Sequence, residues 1–365
     1  MLVVAANDSK KPSLLSVQIL RGVAALLVVA HHCTMMVNER LGAGKGVAWD
    51  NGAAGVDIFF VISGFVMALS SQALVGRVHP AGTFLLRRVE RIVPLYWLAT
   101  TFKVVTLLAV PALAVNALGT PWHIVASYLF LPTLNPAGEP FPVLLVGWTL
   151  NLEMLFYLLF AAALMLHLRP LRVLAPVLLA LAMVPVILSA VPHGVVPVVM
   201  TLANPILIEF AFGMLLFRAW KEGLRLPQAS AWLALAGGFF VIALVPWAAL
   251  SLLRPIVWGL PALAIVAAGL SLESMAASAA SAAMRGMLRV GDASYSIYLS
   301  HTFVLPVAAF LLLRMHIQGI AGLVPGIVLG TLMSVAVGLG VYRWVELPII
   351  EYFRRGRATA GDAIA

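Results

Sequence analysis

Long apolar runs constrain this 365-residue chain more than any other feature. Helical runs of about 20 residues match the roughly 30 Å hydrocarbon core of a bilayer, whereas barrel strands would show alternating segments of about 10 residues. Charged residues make up only 10% of the chain, against about 25% in soluble domains. The sequence therefore predicts an all-α fold, a polytopic transmembrane helical bundle. We place ten spans at 15–37, 55–75, 92–115, 142–166, 171–191, 196–217, 231–250, 255–272, 292–313 and 320–343.

The distribution of lysine and arginine predicts the orientation of the bundle. With ten spans, seventeen basic residues lie on the side of both termini and four on the other side. Basic residues collect on the cytoplasmic side, so both termini are expected in the cytoplasm. The net charge of +9 follows from these loops and does not indicate a nucleic-acid partner. We expect a cytoplasmic segment over 1–14, a transmembrane domain over 15–348 and a basic cytoplasmic tail over 349–365.

The first span, LLSVQILRGVAALLVVAHHCTMMV, carries Arg21 near one end and the pair His31 and His32 near the other. Eleven residues of helix turn roughly 1100°, which leaves Arg21 and His32 about 20° apart around the axis and about 16 Å apart along it. His31 lies about 80° from Arg21. Ionisable residues inside a span are costly and usually face protein or a wet cavity. This helix is therefore expected to form an active-site wall, with His32 as the reactive histidine.

The segment after the second span, FLLRRVERIVPLYW, carries three arginines, Arg87, Arg88 and Arg91. On a helix, Arg91 shares a face with each of the other two. One interpretation is a cluster that contacts lipid headgroups and sets topology. The other is an anion site, because planar guanidinium groups bind phosphates bidentately. A coenzyme A thioester would suit such a site.

Two further spans contain acidic side chains. In the second, GVDIFFVISGFVM, Asp57 either reaches interfacial water or pairs with an arginine or histidine. Ser63 in the same span is expected to be a packing contact rather than a nucleophile. In the fourth, GWTLNLEMLFYLLF, Glu153 is close to Trp148 and Asn151. An unpaired charge at this depth costs several kcal/mol, so Glu153 is either paired with a cation or part of a site.

The sixth and ninth spans add three polar residues. Glu209 in the sixth span is an isolated acid. In the ninth, GDASYSIYLSHTFVL, Tyr298 and His301 follow one another at helical spacing. A lone histidine such as His301 is either a structural residue or a substrate ligand. The single cysteine, Cys33, excludes an internal disulfide and a cysteine-rich metal site.

Six segments occur in one order between residues 18 and 348: QILRGVAALLVVAHH, GVDIFFVISGFVM, FLLRRVERIVPLYW, GWTLNLEMLFYLLF, GDASYSIYLSH and VELP. Each is a weak signal alone. Together they resemble the acyltransferase-3 family of integral membrane acyltransferases, which modify bacterial surface and exported carbohydrates. The second and fourth segments look most like the branch that modifies exopolysaccharides.

This resemblance implies transfer of an acyl group, usually acetyl, from cytoplasmic acyl-coenzyme A to a sugar hydroxyl at a bacterial inner membrane. The residues that match the family's motifs are the essential pair Arg21 and His32, the basic set Arg87, Arg88 and Arg91, and the pair Glu153 and Tyr157.

We expect the donor's phosphates to bind the basic segment and its pantetheine arm to reach His32. His32 would be the general base, since the ordinary pKa of imidazole, about 6.5, suits proton transfer at neutral pH, or it would form a transient acyl-histidine. Arg21, Glu153 and Asp57 would orient the imidazole or neutralise developing charge. The expected substrate contacts are Trp148, Asn151, Tyr157, Tyr298 and His301.

The expected partners are acyl-CoA (acetyl-CoA first), a carbohydrate or lipid-linked glycan acceptor, membrane lipids and polysaccharide assembly machinery. No metal is expected, because the candidate ligands lack metal-site spacing. A transporter or flippase is the main alternative, although it would favour symmetric halves with matched broken helices, which the sequence lacks. A non-catalytic partner in polysaccharide assembly would not need these polar residues. The acceptor sugar, the choice of acetyl or succinyl, and the side of acceptor binding stay open.

Overall fold

The computed structural model describes residues 14–74, 79–110, 119–188, 201–245, 252–278 and 281–362, and these ranges contain helices and loops but no β-strand. The predicted all-α class is confirmed. The helices are α1 (Leu15–Leu41), α2 (Gly55–Ser71), α3 (Pro80–Ala109), α4 (Pro121–Tyr128), α5 (Trp148–Met165), α6 (Pro170–Leu188), α7 (Ile208–Lys221), α8 (Gln228–Leu244), α9 (Leu260–Ser271), α10 (Glu273–Ser278), α11 (Ala282–Asp292), α12 (Ser294–Arg314), α13 (Leu323–Val341) and α14 (Leu347–Asp362).

Within the described ranges, seven helical segments are long and apolar enough to cross a membrane by length and composition. They contain α1, α2, α3, α5, α6, α12 and α13. Two shorter apolar segments contain α8 and α9, and α7 has 14 residues. The protein is therefore a membrane protein, and each predicted span overlaps a helix. The number of ten spans and the orientation of the termini stay predictions.

The third helix begins well before the third predicted span. α3 begins at Pro80, whereas the span was placed from residue 92. Proline is favourable in the first turn of a helix, because its missing N–H would have no partner there. The basic segment around Arg88 is thus continuous with the apolar part of α3, which fixes the direction of its side chains.

α1 is the central helix and packs against α2, α9, α11, α12 and α13. Small buried residues such as Ala24 and Ala25 let these neighbours approach closely. A Cβ atom on Gly55, the first residue of α2, would lie 2.3 Å from the carbonyl oxygen of Ala24. Only glycine allows this contact, so α1 and α2 are held backbone to backbone.

α2, α7 and α5 form a second tightly packed group. A Cβ atom on Gly64 of α2 or on Gly213 of α7 would lie 2.1 Å from a carbonyl oxygen of the other helix. Next to this crossing, the ring of Phe210 stacks on Phe60 at 4.5 Å and on Phe156 at 4.2 Å between centroids. These contacts fix the polar part of α5 relative to α2.

A short helix and a loop cover one end of α5. The apolar stretch 122–131 is shorter than a membrane span, and it lies in α4 and the residues directly after it. The buried His123 accepts the N–H of Gly119 at Nδ1 (3.1 Å) and donates from Nε2 to the carbonyl of Phe141 (3.0 Å). This histidine joins α4 to the loop that precedes α5.

Candidate active site

Two cavities lie along α1. The arginine cavity, of about 180 Å³, has among its lining residues Arg21, Ser63, Arg88, Arg91, Glu153 and Tyr157. The histidine cavity, of about 720 Å³, has among its lining residues His31, His32, Asp50, Trp148, Asn151 and Arg254. The two ends of the predicted polar face of α1 therefore open into different cavities.

Tyr298 and Val56 line both cavities, so they lie where the two meet. The Tyr298 hydroxyl donates to the carbonyl of Val146 (3.0 Å) and shares a hydrogen bond with the hydroxyl of Thr149 (2.8 Å). These bonds fasten α12 to the beginning of α5. Tyr298 and Val56 therefore lie between a cationic environment and a histidine-containing one.

Three guanidinium groups converge on the arginine cavity, Arg21 from α1 and Arg88 and Arg91 from α3. Arg88 is held in place because its Nη2 donates to the hydroxyl of Ser70 on α2 (2.7 Å). Glu153 is the carboxylate that lines this cavity. The excess of positive charge suits an anionic ligand with several oxygens, such as a phosphate group.

Glu153 is held by two hydroxyl groups. Ser63 donates to its Oε1 at 3.1 Å, and Tyr157, one turn further along α5, donates to the same oxygen at 2.5 Å. Hydrogen bonds to a charged group are stronger than neutral ones, so this arrangement fixes the carboxylate at the cavity wall. Ser63, predicted as a packing contact, has this second role as well.

The hydrogen bond of His32 determines which ring nitrogen can act as a base. Its Nδ1 lies 2.8 Å from the carbonyl oxygen of Val28. A carbonyl only accepts, so Nδ1 carries the hydrogen and Nε2 of the neutral ring carries a lone pair. By the same argument His31 is also protonated on Nδ1, which lies 3.2 Å from the carbonyl oxygen of Trp49 and 3.8 Å from Asp50. His32 is thus suited to proton abstraction, while His31 contacts the segment before α2.

The rest of the histidine cavity combines apolar surfaces with a few polar atoms. Trp148 and Phe141 supply aromatic side chains. Oδ1 of Asn151 is buried and makes no hydrogen bond to any described residue. Buried polar atoms usually have a partner, so this acceptor is suited to a donor on a ligand, such as a sugar hydroxyl.

Three predicted site residues line neither of these cavities: Asp57, Arg87 and His301. Asp57 is fully buried and accepts two hydrogen bonds from Arg254, at 2.9 Å from Nε and 2.7 Å from Nη2. The structure thus places it on an arginine, not on the imidazole of His32. His301 is fully buried, and its ring centroid is 4.9 Å from that of His32.

Sequence reasoning missed Arg254, the partner of Asp57. Arg254 directly precedes the eighth predicted span, on the same predicted side as Asp57, so topology alone would have allowed the pairing. Glu209 is also fully buried and interacts with both residues. Across the part of the chain that the structure describes, no three His, Cys, Asp or Glu side chains converge as a metal site would require.

Comparisons with known proteins identify the family. The acyltransferase domain matches residues 14–343. The chain is also 38% identical over 323 residues to the exopolysaccharide production protein ExoZ of Rhizobium meliloti strain 1021, covering 86% of this chain and 94% of that protein. No solved structure matches the chain. These matches confirm the resemblance seen in the six motifs: the chain belongs to the acyltransferase-3 family and is a membrane acyltransferase.

Proposed function

We propose that this protein transfers an acyl group, with acetyl as the first choice, from acyl-coenzyme A to a hydroxyl of an exopolysaccharide or its lipid-linked precursor, at a bacterial inner membrane. One observation carries the proposal: α1 presents Arg21 to a small cationic cavity and His32 to a larger cavity, and the two meet at Tyr298. A donor that carries phosphates needs a cationic site, an acceptor that carries a hydroxyl needs a base, and the two sites must adjoin for transfer to occur. The similarity to ExoZ, an exopolysaccharide production protein, supports an exopolysaccharide acceptor.

The donor would bind at the arginine cavity. Coenzyme A carries a diphosphate and a further phosphate, and Arg21, Arg88 and Arg91 offer guanidinium groups that bind such oxygens bidentately. A volume of about 180 Å³ is too small for the whole coenzyme. The thioester arm would therefore enter the cavity, the phosphates would contact the arginines at its wall, and the adenosine would stay outside. The positive-inside prediction puts this end at the cytoplasm, where acyl-CoA is found.

The chemistry would take place where the cavities meet. Nε2 of His32 removes the proton from the acceptor hydroxyl as its oxygen attacks the thioester carbonyl carbon. The new C–O bond forms, the C–S bond breaks, and the imidazolium returns the proton to the coenzyme A thiolate. Arg21 and Glu153 would position the donor and balance charge on its side of Tyr298. Alternatively, Nε2 of His32 attacks the thioester carbonyl carbon and the C–S bond breaks to release the coenzyme A thiolate. The acceptor oxygen then attacks the acyl-histidine, the N–C bond breaks, and the hydroxyl proton passes to the thiolate.

The acceptor would bind in the histidine cavity. At about 720 Å³ it is in the size range that encloses drug-sized ligands. Trp148 and Phe141 offer apolar surfaces to the C–H faces of sugar rings, and Oδ1 of Asn151 accepts from a hydroxyl. The small number of polar groups in such a cavity would fix the orientation of the sugar. Its contact with the apolar walls would contribute most of the binding affinity.

The test uses purified protein in lipid nanodiscs with labelled acetyl-CoA and a purified exopolysaccharide. His32→Ala should lower transfer by about 100-fold or more, because general base catalysis contributes about 10²–10⁴-fold. His31→Ala changes the neighbouring histidine of the same cavity and should keep most of the activity. Normal turnover in the His32 variant would overturn the proposed mechanism. Donor binding without turnover on any glycan would favour a transporter or a non-catalytic partner.

The same preparation distinguishes the two roles of His32. Wild-type protein is mixed with labelled acetyl-CoA without acceptor and then quenched. Label retained on the wild type but not on His32→Ala indicates an acyl-histidine. Unlabelled protein that still transfers acetyl when the glycan is added indicates a general base.

A further inference from the structure

His301 contains a buried hydrogen-bond acceptor that the fold does not use. Its Nδ1 lies 3.2 Å from the carbonyl oxygen of Ile297, one turn earlier in α12, so Nδ1 carries the hydrogen. Nε2 then carries the lone pair. This atom is buried and makes no hydrogen bond to any described residue. Buried polar atoms without partners are rare and destabilising, so another state of the protein is expected to supply a donor.

The neighbouring ring is that of His32. The two ring centroids are 4.9 Å apart, with the ring planes inclined at 56°. Neutral His32 has one N–H, and the carbonyl of Val28 accepts it. The imidazolium has a second N–H, which needs an acceptor away from water. Neutral His32 thus has no N–H left for the lone pair of His301, whereas the imidazolium has one.

The other titratable side chains around His32 are engaged elsewhere. His31 contacts Trp49 and Asp50, and Arg254 carries a positive charge that Asp57 neutralises. The hydroxyl of Tyr298 bonds to Thr149 on α5 and to the carbonyl of Val146 just before that helix. Among these described neighbours, His301 alone combines a buried lone pair with a position beside the His32 ring.

We propose that His301 is a positioning residue whose Nε2 accepts a hydrogen bond from the His32 imidazolium formed during acyl transfer. This inference rests on the proposed function. The acceptor hydroxyl gives its proton to Nε2 of His32, that N–H then donates to Nε2 of His301, and the same proton later passes to the coenzyme A thiolate. His301 takes no proton of its own and touches neither substrate, in agreement with its place outside both cavities.

A pair of amide substitutions tests this role. The amide of His301→Asn can replace the Nδ1–H that donates to Ile297 but lacks an acceptor at the Nε2 position, whereas the longer side chain of His301→Gln can place its oxygen there. We expect His301→Asn to lower kcat by about 10- to 100-fold, the effect of losing a hydrogen bond to a charged group, with both KM values unchanged. His301→Gln should restore most of kcat.

Folding is followed in the same samples. His301→Leu removes the buried polar atoms and should keep or raise the Tm in detergent while lowering kcat like His301→Asn. Equal kcat in wild type, Asn and Leu variants would overturn the inference, and so would a loss that tracks Tm or KM instead of kcat. His32→Ala, assayed in parallel, separates the two proposals. If it is active, the proposed role of His32 fails and this inference fails with it; if it is inactive while His301→Asn is normal, only this inference fails.

Discussion

The arginine cavity and the histidine cavity share walls from α1, α2, α5 and α12 but differ in size and chemistry. The second is about four times larger, at about 720 Å³ against 180 Å³. α1 supplies Arg21 to one and His32 to the other, and α5 supplies Glu153 to one and Asn151 to the other. Asn151 and Glu153 are two residues apart, or roughly 200° around the helix. Position on two helices, rather than a division into domains, therefore separates the two environments.

The cations of the two cavities differ as well. In the histidine cavity, Arg254 is neutralised by the buried carboxylate of Asp57. In the arginine cavity, three guanidinium groups share one lining carboxylate, which itself accepts hydrogen bonds from two hydroxyls. We interpret the first arginine as structural and the other three as ligands of an anion. Substitutions can test this difference directly.

The largest expected effect is on stability. Arg254→Met leaves Asp57 buried without its cation and should lower the free energy of unfolding by about 3–5 kcal/mol, measured by thermal or denaturant unfolding in detergent. Asp57→Asn should cost a similar amount, and the double variant less than the sum of the two. If the Arg254→Met variant is as stable as the wild type but has a raised KM for the acceptor, Arg254 binds substrate instead.

The next effect concerns the donor. Arg91→Leu should raise KM for acetyl-CoA by about 10- to 100-fold, because a hydrogen bond to a charged group contributes about 1.5–3 kcal/mol, and it should leave the acceptor KM unchanged. Arg87→Leu is the matched control, since Arg87 lies on the same helix but lines neither cavity. Equal effects of the two substitutions would indicate a general surface charge effect and not a donor site.

The smallest effect concerns the acceptor. Asn151→Ala removes one neutral hydrogen-bonding group and should raise the acceptor KM by about 3- to 10-fold with no change in the donor KM. Initial rates over a range of glycan concentrations measure it. A change in the donor KM of the same size would mean that the two cavities do not separate donor from acceptor.

Several features followed from local sequence patterns. Run length and composition predicted a helical membrane bundle, because in a bilayer the polar backbone groups of an apolar segment must hydrogen-bond within the segment. Helical periodicity predicted that Arg21 and His32 share a face of α1. It could not predict that they open into different cavities, since this depends on where α2, α5 and α12 cross α1. For the same reason, the sequence predicted only a packing role for Ser63. Its hydrogen-bond partner, Glu153, lies 90 residues away on another helix.

The sequence by itself determined the class of fold, the presence of costly ionisable groups inside spans and, through six ordered motifs, the family. The tertiary structure alone decided which of these groups meet. It paired Asp57 with Arg254 across 197 residues, placed His301 behind His32 and set Tyr298 between the cavities. The physical reason is that periodicity acts within one helix, whereas these contacts depend on close crossings such as Gly55 on Ala24.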